Sequence, residues 1–219
     1  MANIRDYEVD FEEHHIPVKY DFYEEYIGHN HFKEKFGKRI EYIKDKYALD
    51  LADNDIIKNY FVEIFSWCVI PRELLFTIRE YLKVVNVNYL LDPCCGNAFH
   101  TFLFDTFTGI NTLSCDNQKE PETWLDITEK DGMKFLDELN EREHEKGALI
   151  LSWIESECEE LALELLKKFY GEIIISIGNY KVTSPRYYKY LNNYYECKKR
   201  FVLEMPWGIN ENIEIYKLF

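Results

Sequence analysis

The stretch LLDPCCGNAFH, residues 90–100, places an aspartate, two cysteines, one glycine and a histidine between an apolar run and a stretch patterned as a helix. Small residues between a strand and a helix let backbone approach a ligand closely. In a doubly wound sheet, ligands bind beyond the carboxyl ends of the strands, where the strand order reverses. Asp92, Cys94, Gly96 and Ala98 are the positions such a loop would use. Asp116 closes the next apolar run roughly 24 residues on, and an acid near that spacing accepts hydrogen bonds from a ribose hydroxyl pair. The combination fits a cofactor that carries a nucleoside. An ordinary strand-to-helix turn with a polar strand end is the alternative.

Other residues invite chemistry. Cys94, Cys95 and His100 offer metal-ligand types without a fourth ligand nearby in sequence. A thiolate at a helix N-terminus is conceivable because the dipole lowers a thiol pKa, and small hydrophobic filler is the simpler role. Ser152, Trp153 and Glu155 fall at the expected carboxyl end of a later strand, facing the same crevice. Ser152 belongs with the cofactor positions, Trp153 can stack on a ring or pack in the core, and Glu155 can serve as a general base or favour a helix N-terminus. Trp67, shortly before Pro71, can wall the pocket or pack the preceding helices. His14-His15 and His29-x-His31 lie in polar, surface-like sequence and no metal is assigned to them. Residues 179–201 are locally basic and rich in tyrosine, the pattern of a single-stranded RNA contact or of an amphipathic helix with its tyrosines inward.

Positioning these residues requires a regular alternation of elements, and the chain has it. Residues 1–19 are acidic and unpatterned, an extended arm. Phe32, Phe36, Ile40 and Ile43 recur at helical spacing within a stretch from Asp21 to about Lys46, interrupted near Gly28 or Gly37. Asp53 or Asn54 can cap a second helix through IIKNYFVEIF, and Pro71 starts a third that ends near Tyr81. Strands are expected at 88–92, 112–116, 148–153 and 172–178. Helices are expected from Ala98 to Phe107, from a capping box at Thr128-x-x-Asp131, from Ser156-x-x-Glu159, and from Ser184-Pro185. RFVLEM and NIEIYKLF flank PWGINE as an antiparallel pair. The expectation is an α/β protein with a doubly wound, mostly parallel sheet and an antiparallel C-terminal strand. Residues 1–65 form an arm and helical cap, and 66–219 the main domain.

Composition limits the function. The 219 residues are 47% hydrophobic and 16% aromatic, with a formal net charge of −14. That charge disfavours general binding to phosphate backbones or anionic membranes. No run of about 18 apolar residues is present. Six scattered cysteines without framework spacing point to reduced thiols in a cytoplasm-like compartment.

Several motifs occur in an order that resembles an uncharacterised family of methyltransferase-like Rossmann proteins. They are Ser66-Trp67-Cys68-Val69-Ile70-Pro71, the DPCCGNA loop, Trp124, LILSWIES (149–156), FYGEIIISIGN (169–179) and PWGINENIEIY (206–216). The family reads roughly SWxIP, GxGxG, a lone Trp, LLLSWPPY, YxGxxVIYVGE and WPGxxDxLxVY. SWCVIP has one extra residue, Ile154-Glu155 replaces the double proline, Ser156 stands at the tyrosine position, and Cys94 stands where the first glycine belongs. The resemblance implies a seven-stranded class I fold with S-adenosylmethionine as cofactor. Asp116 would hold the ribose, loop 92–98 the methionine moiety, and residues near Asp126 the adenine. The methyl acceptor is left open, and a scaffold that has lost the cofactor is the alternative.

Overall fold

A computed structural model describes residues 13–47, 54–118 and 120–219. Its strands are β1 (His14–Pro17), β2 (Tyr89–Asp92), β3 (Asn111–Asp116), β4 (Thr128–Glu129), β5 (Gly147–Ser152), β6 (Ile173–Gly178), β7 (Tyr195–Glu204) and β8 (Asn210–Leu218). They form one sheet in the order β1-β7-β8-β6-β5-β2-β3-β4. Strands β2 to β6 run parallel. Strand β8 lies between β6 and β7 and is antiparallel to both. This is the expected doubly wound, mostly parallel sheet with its antiparallel C-terminal strand. The chain runs from β2 outward to β3 and β4, then returns to β5 on the other side, so the strand order reverses between β2 and β5.

Side chains of a strand alternate between the two faces of its sheet, and here both faces are covered. Ala148 and Ile150 of β5, with Ile173, Ile175 and Ile177 of β6, enter one apolar cluster. Leu149, Leu151 and Ile174 enter the other. That double burial is why these strands read as unbroken apolar runs rather than as alternating ones.

The helices are α1 (Asn30–Tyr47), α2 (Asn54–Ile64), α3 (Arg72–Val84), α4 (Phe99–Thr108), α5 (Gly132–Glu138), α6 (Glu141–Glu145), α7 (Glu159–Lys168) and α8 (Pro185–Tyr194). Among the described residues none is long and apolar enough to cross a membrane. Phe32 of α1, Phe65 just beyond α2, Phe99 and Phe102 of α4 and Trp124 pack against one another, mostly tilted, with ring centroids 5.0–6.1 Å apart. The Trp124 indole N–H donates to the Ile64 carbonyl at 2.8 Å. The N-terminal helices thereby share a core with the helix that follows the cofactor-type loop.

Several local expectations are corrected. The arm contributes an eighth strand: β1 pairs in parallel with β7, although HHIP carries no strand pattern, because backbone pairing alone defines it. The break expected near Gly28 or Gly37 falls at Gly28, between a 3-10 turn at Phe22–Glu25 and α1, and α1 passes through Gly37 unbroken. A single glycine costs only about 1 kcal/mol, which burial of Phe32 and Ile43 offsets. Thr128 does not cap a helix. It pairs with Cys115 in β4, and the Lys130 N–H still bonds to the Asp116 carbonyl, so α5 can begin only after Asp131, whose carboxylate accepts from the Met133 and Lys134 N–H groups. Residues 156–158 form a 3-10 turn, and Ser156 makes no side-chain cap. Ser184 does cap α8, accepting from the Arg186 N–H at 3.2 Å. Asp53 lies outside the described residues.

Candidate functional site

The loop after β2 stands at the point where the strand order reverses. Gly96 adopts φ +54° and Ala98 φ +61°, while Cys94 is absent from the residues of positive φ. A side chain is therefore tolerated at position 94 without left-handed strain. The Cys94 sulfur packs near Gly132 and joins the second core cluster, which makes it small apolar filler. Gly96 is exposed, and a Cβ built on it meets no atom within 4 Å. Its backbone conformation, not crowding by protein, calls for glycine. The Ala98 N–H bonds to the Cys95 carbonyl at 2.8 Å. Ala98 is the N-cap of α4, and its left-handed conformation was not foreseen.

Asp116 closes β3 and is tied into this loop. One of its carboxylate oxygens accepts the Gly96 N–H at 2.8 Å, and the other accepts the Gln118 N–H at 3.0 Å. Asp92 closes β2 and is 2% exposed. Its Oδ2 accepts the Thr101 hydroxyl at 2.6 Å, but among the described residues its Oδ1 has no hydrogen-bond partner. Burial, opposed by hydrogen bonds from the Thr101 hydroxyl and the Cys94 backbone N–H and assisted by the neighbouring Asp116 charge, raises the Asp92 pKa from 3.8 to about 7. Burial, reinforced by the same two acids, also pushes the Cys94 and Cys95 thiols well above their usual range and Cys115 up to about 12. That is opposite to the lowering a helix dipole alone would give.

Two cavities meet at this loop. One, of about 340 Å³, is bordered by Asp92, Asn97, His100, Trp67 and Arg39; the other, of about 270 Å³, by Asp116, Asn117, Asp131, Gly132 and Cys158. Cys94, Gly96, Ser152 and Trp153 line both. The helical cap closes over the first cavity, where Asn97 donates to the Phe65 carbonyl at 2.8 Å. The Arg39 guanidinium bonds to Glu120 at 2.6 Å and to the Glu63 carbonyl at 3.0 Å.

At the end of β5, His100 joins Ser152 to the backbone of the SWCVIP segment. His100 Nε2 lies 2.7 Å from the Cys68 carbonyl oxygen, and Nδ1 lies 2.9 Å from Ser152 Oγ. Burial lowers the His100 pKa to about 4, so the ring is neutral at pH 7. A carbonyl only accepts, hence Nε2 carries the proton and Nδ1 accepts from the Ser152 hydroxyl. Trp153 adopts φ +54°, a costly conformation for a bulky residue. Its ring sits 5.2 Å from that of Trp67 at 31°, and its buried indole N–H has no partner among the described residues.

Not every expected residue is here. Asp126 is exposed and borders a separate cavity beside Asp105, Thr112 and Thr128. It does not join Asp116; Asp131 and Gly132 do. The helix-opening pair Asp131-Gly132 was the available signal, because a Cβ at Gly132 would lie 2.8 Å from the Pro93 carbonyl oxygen. Glu155 is exposed, bridges Thr183 and borders neither cavity. His100, offered by the sequence as a metal-ligand type, is a buried hydrogen-bonding residue inside the apolar run FHTFLF. In segment 179–201 Tyr187 and Tyr195 face the core. Arg186 pairs with Glu159 and Glu160, and Arg200 pairs with buried Glu214 at 2.7 Å. His29 and His31 rest against Phe107 and Phe102.

No protein-family model matches the chain. No curated protein matches it significantly. Among solved structures it is similar to a methyltransferase from Geobacter sulfurreducens, with TM-score 0.46 and 11% identity over 83% of this chain and 96% of that one. It is also similar to a SAM dependent methyltransferase from Archaeoglobus fulgidus, with TM-score 0.42 and 15% identity over 75% and 100%. Likeness at this level says nothing of the chain's own activity.

Proposed function

We propose that this protein is a class I methyltransferase that binds S-adenosylmethionine where the strand order reverses. The observation that carries the proposal is Asp92, a buried carboxylate with an unpartnered oxygen at the mouth of a glycine-containing loop. An unpartnered buried acid costs stability, and a scaffold without a ligand would gain nothing from retaining it. The α-amino group of the cofactor is a cation of the kind that Oδ1 lacks.

The remaining residues suit the rest of the same molecule. Asp116, already oriented by two backbone N–H groups, would take the ribose hydroxyls. Asp131, Asn117 and Gly132 would border the base, in place of Asp126. Gly96 would leave room beside the methionine chain, and Cys94 and Cys115 would supply an apolar floor. The bound sulfonium supplies an activated methyl group. In-line transfer of that group rests mainly on positioning, which supplies about 7–11 kcal/mol when reactants are well aligned. The chain's part is to hold the acceptor in line and to exclude water, for which the Trp67–Trp153 wall and the helical cap are suited.

Calorimetry with S-adenosylhomocysteine tests the proposal. Saturable one-to-one binding supports it; absence of heat from folded protein at millimolar ligand counts against it.

A further inference from the structure

We propose that the open edge of β3 docks an extended, basic segment of a partner protein, which joins the sheet as an added strand. The proposal is independent of the cofactor reading above.

Strand β4 covers only the end of β3. Thr128 and Glu129 pair with Cys115 and Asp116, and among the described residues nothing pairs with Asn111–Ser114 on that side. The phase of the ladder decides which backbone groups are left over. The Asp116 carbonyl accepts the Lys130 N–H on the β4 side, and the Cys115 carbonyl accepts the Cys95 N–H on the β2 side. Successive residues of a strand turn their backbone groups to opposite edges, so Thr112 and Ser114 present both N–H and C=O to the open side. A row of this kind is a template for strand addition. It also accounts for the half-burial of Thr112, Leu113 and Ser114, whereas β6, flanked on both sides, is buried throughout.

A groove of about 520 Å³ lies along this edge, and its two sides differ. The Thr112 hydroxyl donates to Asp105 of α4 at 2.9 Å. Leu113 turns the other way, toward the cluster that contains Phe135 and Leu139. An added strand alternates its side chains between the same two faces. Every second residue would meet Asp105, and those between would meet Phe135 and Leu139. Four carboxylates, of Asp105, Asp126, Glu138 and Glu143, line the groove against the single Lys130, which is itself bound to Glu138. The segment that fits alternates lysine or arginine with a β-branched apolar residue. The same charge argues against a second copy of the chain, which carries −14 and would bring acid to acid.

The test titrates the full-length protein into a fluorescently labelled Lys-Val-Lys-Val-Lys-Val peptide and reads anisotropy. Saturable binding is expected, and a Glu-Val repeat of the same length should not bind. Two further peptides, N-methylated at every valine or at every lysine, each block one edge of the added strand. One should bind like the parent and the other roughly tenfold more weakly or worse. Loss on the valine side means pairing parallel to β3, and loss on the lysine side antiparallel. Ser114→Pro removes an N–H that points to the open edge, where proline is tolerated, and should also weaken binding roughly tenfold. The double variant Asp105→Asn with Glu138→Gln should weaken it about fivefold at low salt. No binding of the Lys-Val peptide, equal binding of the Glu-Val repeat, or equal affinities for the two methylated peptides would overturn the proposal. So would wild-type affinity in a Ser114→Pro protein shown by circular dichroism to be folded. A concentration-dependent dimer that Ser114→Pro dissolves would overturn it too, giving the edge to a second copy. Should Ser114→Pro not fold, the methylated peptides decide the question unaided.

Discussion

Replacing Asp92 with asparagine should make the protein more stable and less able to bind. The native carboxyl has its pKa raised from 3.8 to about 7, chiefly by burial. A group raised in this way contributes its full stability below the unfolded pKa and loses it as pH rises through the folded one. Here the loss falls between about pH 4 and pH 7, as the buried acid is forced to ionise. A rise of about three pH units at ~1.36 kcal/mol each makes the cost about 4 kcal/mol above pH 7. Asparagine keeps the shape and can accept the Thr101 hydroxyl, but it carries no charge. Asp92→Asn should therefore unfold later than wild type at pH 8. For a chain of this length the gain corresponds to about 8–16 °C in Tm, and it should shrink to nothing near pH 4. Thermal unfolding of both proteins across that range is the assay. A variant less stable than wild type at pH 8, or a difference that does not vary with pH, would refute the reasoning.

Other consequences follow from the same geometry. Affinity for S-adenosylhomocysteine should rise from pH 6 to 8, because the ammonium group requires the ionised form of Asp92; calorimetry in buffers of differing ionisation enthalpy should register proton release on binding, and a flat profile would disagree. Cys94→Gly should bind nearly as wild type, since residue 94 is not left-handed, whereas Gly96→Val should lose binding through both bulk and strain at φ +54°; wild-type affinity in a folded Gly96→Val protein would make the loop a mere turn. Trp153→Gly should be more stable than Trp153→Ala by about 1 kcal/mol, read by urea unfolding, because both lose the ring but only glycine accepts φ +54° freely; equal midpoints would contradict the strain.

The order of elements was legible in the sequence because double burial leaves its mark on strands such as ALILS and EIIISIG. The loop was legible for a related reason: small residues and strand-ending acids have few other uses at a switch point. What escaped reading depends on contacts distant in sequence. Strand β1 is defined by its pairing with β7, not by its own HHIP. Asp131 replaces Asp126 beside Asp116 because the β3–β4 pairing runs on to Lys130, and local patterning does not report that. His100 and Ser152 are 52 residues apart, and only the fold shows that one orders the proton of the other. The positive φ of Trp153 leaves no trace in composition at all.

The central claim is that Asp116 and the loop it holds form a nucleoside cofactor site. Calorimetric titration of S-adenosylhomocysteine into wild type and Asp116→Ala tests it most directly, with circular dichroism verifying that both are folded. Loss of charged hydrogen bonds to the ribose should cost about 1.5–3 kcal/mol, roughly 10- to 150-fold in affinity. Unchanged affinity in a folded Asp116→Ala protein would place the ligand elsewhere and contradict the account.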